Sequence, residues 1–133
     1  MDSGQERSER WSSRSTEEIS AAWIDYQSRQ HAADEQAGED PAWWAVEALI
    51  DLTLDDPLRV LEICFHIART SDAPRVLMML GAGPLEDLLS GDLAFFDAIA
   101  FETKSNANLV KALGSTWQSS IPDDVWQRLI GSA

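Results

Sequence analysis

Three prolines cut the middle of this chain into helix-length pieces. Asp40–Pro41 and Asp56–Pro57 stand 16 residues apart, and Pro74 follows after another 17. An aspartate that can accept an amide hydrogen, followed by a residue with no amide hydrogen to lose, marks a helix start. Inside a helix the same proline would delete a backbone bond and collide with the preceding turn. The spacing therefore limits each helix here to about 15 residues, an ordinary length in a globular protein.

The pieces between the prolines are amphipathic. After Pro41, the residues Trp43, Val46, Ala48, Leu49, Ile50 and Leu52 supply an apolar surface, while Glu47, Asp51 and Asp55 recur every four residues on another face. After Pro57, Leu58, Leu61, Phe65 and Ala68 form one stripe, broadened by Val60, Cys64 and Ile67. Arg59, Glu62, His66 and Arg69 lie opposite, as on a helix with one side in water. Upstream, Ser15 and Glu18 have the spacing of a capping box and open a helix to about Gln30, with Ile19, Ala22, Trp23 and Tyr26 inward. Downstream, a helix beginning near Ser71 or Asp72 is expected to end at Gly81 in a left-handed cap, and Pro84 to restart a short one ending near Leu89. Further helices are expected over 92–102, with Leu93, Phe96, Ile99 and Ala100 inward, from Asn106 to Leu113 before Gly114, and from Pro122 through Val125, Trp126, Leu129 and Ile130.

Alternation suited to strands is scarce. The chain is expected to be all-α, a compact bundle of seven or eight short helices. The 16- and 17-residue spacing also fits one helix per unit of a short armadillo- or HEAT-like array of helix hairpins. At 133 residues it accommodates one ordinary domain. Residues 1–14 read as a flexible polar arm in which Trp11 is the one large apolar residue and could dock back; residues 15–133 read as a single helical domain.

With 44% hydrophobic and 25% charged residues the chain has the composition of a folded protein, and its formal net charge is −13. The charge is uneven: residues 15–56 carry 11 acids against Arg29, a balance of −10. Such a field disfavours free nucleic acid and anionic membrane, and suits a basic protein surface, a cation, or solubility alone. Cys64 is the single cysteine, so the fold has no internal disulfide. The N-terminal stretch has no apolar leader core, and no run approaches the roughly 20 apolar residues that span a bilayer. These features together predict a cytoplasmic protein.

Four pieces in order are distinctive: Trp43–Trp44–Ala45–Val46–Glu47, Asp56–Pro57, the run Ala82-Gly83-Pro84-Leu85-Glu86-Asp87-Leu88-Leu89, and Trp117–Gln118 before the Pro122–Trp126 segment. In these the chain resembles a family of small bacterial proteins known only as a domain of unknown function, from Trp23 to about Trp126. The resemblance implies a small helical domain and supplies no activity, substrate or catalytic residue. The AGPLEDLL run also has an architectural account. Gly81 and Gly83 permit a sharp turn, Pro84 starts a helix, the leucines dock it, and Glu86 and Asp87 fall where a helix N-terminus favours acids. A binding role for Glu86 or Asp87 stays open beside that account.

No catalytic set stands out. With two histidines, His31 and His66, and one cysteine, neither a zinc motif nor a nucleophile with its base is present. Cys64 and His66 point to different sides of one helix, so a shared metal is not expected. Gly81–Pro84 lacks the lysine and spacing of a phosphate loop. Arg7, Arg10, Arg14 and Arg29 are interrupted by acids, which argues against a nucleic-acid patch. Glu47, Asp51 and Asp55 could line a groove with Glu86 or Asp87 approaching from another helix, the arrangement a carboxylate acid–base pair or a cation would need.

The six tryptophans are the other unusual feature, at positions 11, 23, 43, 44, 117 and 126. Trp23, Trp126 and one of the adjacent pair suit the core. Trp43 and Trp44 point about 100° apart on a helix, so one can lie partly exposed beside the acids. The expected function is a non-catalytic protein-binding domain whose contacts are Trp44, Glu47, Asp51 and Asp55. Its partner would be a basic protein, as for an immunity or inhibitor protein, and no cofactor or metal is called for. The alternatives are a homodimeric accessory domain paired through an exposed apolar face, and a carboxylate-based hydrolase.

Overall fold

A computed structural model describes residues 10–29, 40–91 and 95–116, together with Asp123, Trp126 and Gln127. Among them the chain is all-helical, with no strand. The expected segments 92–94 and most of 117–133 lie outside the described residues, although Trp126 is partly buried against the core.

Six helices are described. α1 is Thr16–Ser28, α2 Trp43–Asp55 and α3 Pro57–Thr70. α4 is continuous through three parts: Pro74–Leu80, a π-helical segment Gly81–Leu85, and Glu86–Gly91. α5 is Phe96–Thr103 and α6 is Ala107–Leu113. The count of six falls below the seven or eight expected, partly because two predicted helices are one. Gly81 is not a left-handed stop; its φ of −69° and ψ of −43° are ordinary right-handed helix. Pro84, which has no N–H to give, is passed by the wider π turn instead of by a break.

Gly81 is needed for a different reason. A Cβ built there would lie 1.7 Å from the carbonyl oxygen of Ala112, so α4 crosses α6 with backbone nearly touching backbone. The Thr116 hydroxyl donates to the Gly81 carbonyl at 2.7 Å and fastens the same crossing.

α3 lies at the centre. It packs on α1, α2, the π segment of α4, and α6. Its buried positions Val60, Leu61, Ile63, Cys64, Ile67 and Ala68 occupy a broad face, a little less than half of the helix. The predicted stripe is accordingly shifted: Leu58 is 62% exposed and Phe65 only half-buried, while Ile63 is fully buried. Two asparagines close the C-terminal end of α3. Asn108 Nδ2 donates to the carbonyls of Ala68 and Ser71, at 2.9 and 3.2 Å, and Asn106 Nδ2 to that of Phe65 at 3.4 Å. The Ala68 carbonyl, among the last of the helix and without an intrahelical donor, is thereby satisfied. Asn106 Oδ1 also caps α6 by accepting from Leu109 N, as its position predicted.

Other starts follow the sequence with small shifts. The capping box is present: Ser15 Oγ accepts from Glu18 N at 3.0 Å, and Glu18 Oε1 from Ser15 N at 3.3 Å. Pro57 and Pro74 each open a helix. Asp40 acts slightly upstream of α2, where its Oδ1 accepts from Ala42 N at 2.8 Å and its carbonyl from Trp43 N at 3.0 Å. It also pairs with Arg29, which Asp25 holds from α1. Those two carboxylates, Asp40 first, raise the Arg29 pKa above its already high ordinary value.

Candidate functional site

Trp44, Glu47, Asp51 and Asp55 follow one another on α2 at three- and four-residue steps, so helical geometry alone sets them on one face. What meets that face is the end of the N-terminal arm. The Trp11 and Trp44 rings stack, with centroids 6.1 Å apart and an interplanar angle of 23°. The Arg10 guanidinium lies 4.6 Å over Trp11, and that of Arg14 4.4 Å over Trp44. The result is a stacked Trp11–Trp44 pair with one guanidinium against each ring.

Polar contacts fix its register. Trp11 Nε1 donates to Asp51 Oδ2 at 2.9 Å, and Arg10 pairs with Glu47 at 3.1 Å and reaches Asp51 at 3.7 Å. From the other side Arg59 of α3 donates to the carbonyl of Trp11 at 2.9 Å and to that of Arg14. Arg14 further pairs with Glu18, and the Ser15 amide and Arg14 together lower the Glu18 pKa. Trp11 is left only 5% exposed. Three of the four residues predicted for partner contact are thus brought together around a segment of their own chain, and Asp55 continues the face, partly buried.

The arm's docking is only modestly favourable. Burying a tryptophan of roughly 200 Å² at about 25 cal/mol per Å² contributes about 5 kcal/mol. Each exposed ion pair and cation–π contact adds about 0.5 kcal/mol. Against this stands about 1–2 kcal/mol for ordering each of the five residues 10–14. The two sides are of similar size, and the Trp11–Asp51 and Arg59 hydrogen bonds add to the favourable one.

The opposite side of α2 faces an open cleft of about 220 Å³. Val46, Leu49, Ile50 and Thr53 form one wall, and Trp23 and Gln27 of α1 a second. The third is the π segment and its flanks, from Met79 through Gly83 and Pro84 to Asp87. Thr53 spends its hydroxyl on the carbonyl of Leu49, at 2.6 Å. Among the described residues Asp87 has no hydrogen bond or ion pair. Loss of hydration raises its carboxyl pKa above the ordinary value, and the neighbouring Glu86 adds to the effect. Asp87 therefore does not share a groove with Glu47 and Asp51; α2 stands between them.

Sequence reasoning missed this cleft because its walls come from three helices whose packing no spacing reveals. It also missed Arg59 as an anchor, since an arginine on a polar face gives no sign of reaching 48 residues back. Trp11 did leave a signal, a lone large apolar side chain between arginines. Cys64 is fully buried, and desolvation, with the Asp87 charge second, pushes its thiol pKa up; that suits a core-filling residue. Among the described residues no three His, Cys, Asp or Glu side chains gather as metal ligands do, and no helix is long and apolar enough to cross a membrane.

No curated protein and no solved structure matches the chain. A family model matches residues 31–132, which include α2 and the whole of α4 and exclude the arm and α1. The chain belongs to that family, DUF6869, a family of unknown function.

Proposed function

We propose that this is a non-catalytic protein-binding domain whose acidic α2 face takes a basic protein, with Trp44, Glu47, Asp51 and Asp55 as its contacts. The observation that supports the reading is the stacked Trp11–Trp44 pair, with Arg10 and Arg14 against its rings, and the pairing of Arg10 and Trp11 to Glu47 and Asp51. An arginine-and-aromatic segment is the chemistry this face accepts, and the arm stands in for it. A partner presenting the same groups displaces the arm, with burial supplying affinity and the net charge of −13 speeding encounter. An immunity or inhibitor role, in which the domain covers a basic cleft on a toxin or nuclease, is the form that best fits such a charge. The same field disfavours free nucleic acid and anionic membrane, and the lone buried thiol suits a reducing cytoplasm.

The test is affinity capture from native extract at low and then high salt, followed by direct binding of the recovered protein. A basic partner should bind in near-equal amount and weaken with salt. The variant with Glu47→Lys, Asp51→Lys and Asp55→Lys should lose it, and Arg10→Ala with Arg14→Ala should strengthen it by removing the internal competitor. Unchanged affinity and salt dependence in the charge-reversed variant would sink the proposal.

One observation favours the homodimer instead. Ile50 and Leu54 on α2 and Leu58 at the start of α3 are 55%, 70% and 62% exposed, a short apolar row that a second copy could cover. Sedimentation from micromolar to millimolar concentration separates the readings, since only self-association raises the mass. The hydrolase alternative calls for Glu47, Asp51 and Asp55 to share a groove with Glu86 or Asp87; Asp87 lines the cleft on the other side of α2 from Glu47 and Asp51.

A further inference from the structure

Asp87 lost its architectural explanation when α4 proved continuous. Acids in a first turn are favoured by amide hydrogens left over at a helix start. Here the backbone runs right-handed from Leu80 through Gly81 and again at Glu86, so no free helix end lies beneath Glu86 and Asp87. The Asp87 carboxylate, exposed to water, stands at the mouth of an apolar cleft. The cleft's volume of about 220 Å³ exceeds the roughly 150 Å³ of a cavity that accommodates benzene. It is below the range of pockets that enclose drug-sized molecules, about 300 Å³ and upward. Its occupant is therefore small, with hydrocarbon for most of its surface and one positive end.

We propose that the cleft between α1, α2 and the π segment of α4 binds a small primary amine with an apolar body. The ammonium lies on Asp87, and the hydrocarbon lies against Trp23, Val46, Leu49 and Pro84. The charge agrees at both scales: Asp87 is an acid at the mouth, and the chain as a whole carries −13. The π turn contributes by placing Gly83 on the wall, where a Cβ would meet nothing within 4 Å, so the floor stays open. Pro84 adds a wall residue with no N–H to leave unsatisfied. An ammonium alongside would bring the raised Asp87 pKa back down.

The full chain, labelled with nitrogen-15, is titrated with 2-phenylethylamine and separately with 2-phenylethanol, its neutral analogue. The amine should shift the amide signals of Val46, Thr53 and Asp87 and bind about tenfold more tightly than the alcohol, the effect of one charge-assisted hydrogen bond. Asp87→Asn should bring the two ligands to equal affinity. Gly83→Leu, which fills the cleft from a position with open space, should abolish both. Binding of the amine should strengthen as pH rises through the Asp87 titration. Equal binding of amine and alcohol to the unaltered chain would overturn the proposal, as would shifts elsewhere or none at tens of millimolar amine. Amine binding that survives Asp87→Asn undiminished would overturn it as well.

Discussion

The two sides of α2 are finished in opposite ways. Its charged side, with Trp44, Glu47 and Asp51, is covered by the chain itself. Its core side, with Ala45, Ala48, Leu49 and Leu52, is buried, and the flank with Val46, Ile50 and Thr53 lines an open cleft. Hydrophobicity accounts for the buried core side, because covering apolar surface is the stronger general drive. The arm goes instead where its arginines and tryptophan find matching groups, so specific pairing has decided which face is closed. The open face is then the flank that lines the cleft.

The largest expected effect tests what holds that open face in shape. Gly81→Ala puts a methyl group into the backbone of α6, so α4 and α6 must separate. Unfolding in urea should show a loss of about 3 kcal/mol, the upper end of ordinary overpacking. Gly83→Ala, two residues away on the cleft side, meets nothing and should stay within about 1 kcal/mol of the parent, on the favourable side. Equal losses at the two glycines would mean that the crossing does not anchor the π segment.

The covered face is expected to respond less. Trp11→Ala removes a buried ring from a segment that can also undock, so the loss should be about 2 kcal/mol, below that for a tryptophan deep in a core. Limited proteolysis should then cut between residues 10 and 15 much faster than in the parent. A variant as resistant as the parent would show that Arg59 holds the arm without the stack. Arg10→Ala, which removes two exposed ion pairs and one cation–π contact, should cost about 1 to 1.5 kcal/mol, and less in high salt.

The same contrast separates what the sequence made legible from what it hid. Local rules performed well: the Ser15–Glu18 box, the starts at Pro57 and Pro74, and the Asn106 cap depend on neighbours a few residues apart. Gly81 misled because a glycine before a proline has two physical uses, a left-handed stop and a close helix crossing, and only the partner helix decides between them. The α2 ridge was found from four-residue spacing, but that the arm covers it depends on a contact across 40 residues of sequence. The cleft had no local signature at all.

The smallest expected effect distinguishes the two faces by the sign of their pH dependence. Glu18, which helps to seat the arm, has a folded pKa below its unfolded value, so its contribution is present above the carboxylate range and is lost as pH falls through it. Asp87, on the cleft, has a folded pKa above its unfolded value. The folded state then holds the proton more tightly than the unfolded one, and stability drops as pH rises from the ordinary aspartate value through the raised one. Measured by urea unfolding from pH 3 to 7, the parent should gain on Glu18→Gln with rising pH and lose ground to Asp87→Asn. Both differences should be small, because each carboxyl is in contact with water. Parallel curves for the parent and Asp87→Asn would mean that the cleft places no strain on that charge. A slope that disappears when 2-phenylethylamine is added would tie the strain to the amine site, because the bound ammonium would restore the charged form that the apolar walls disfavour.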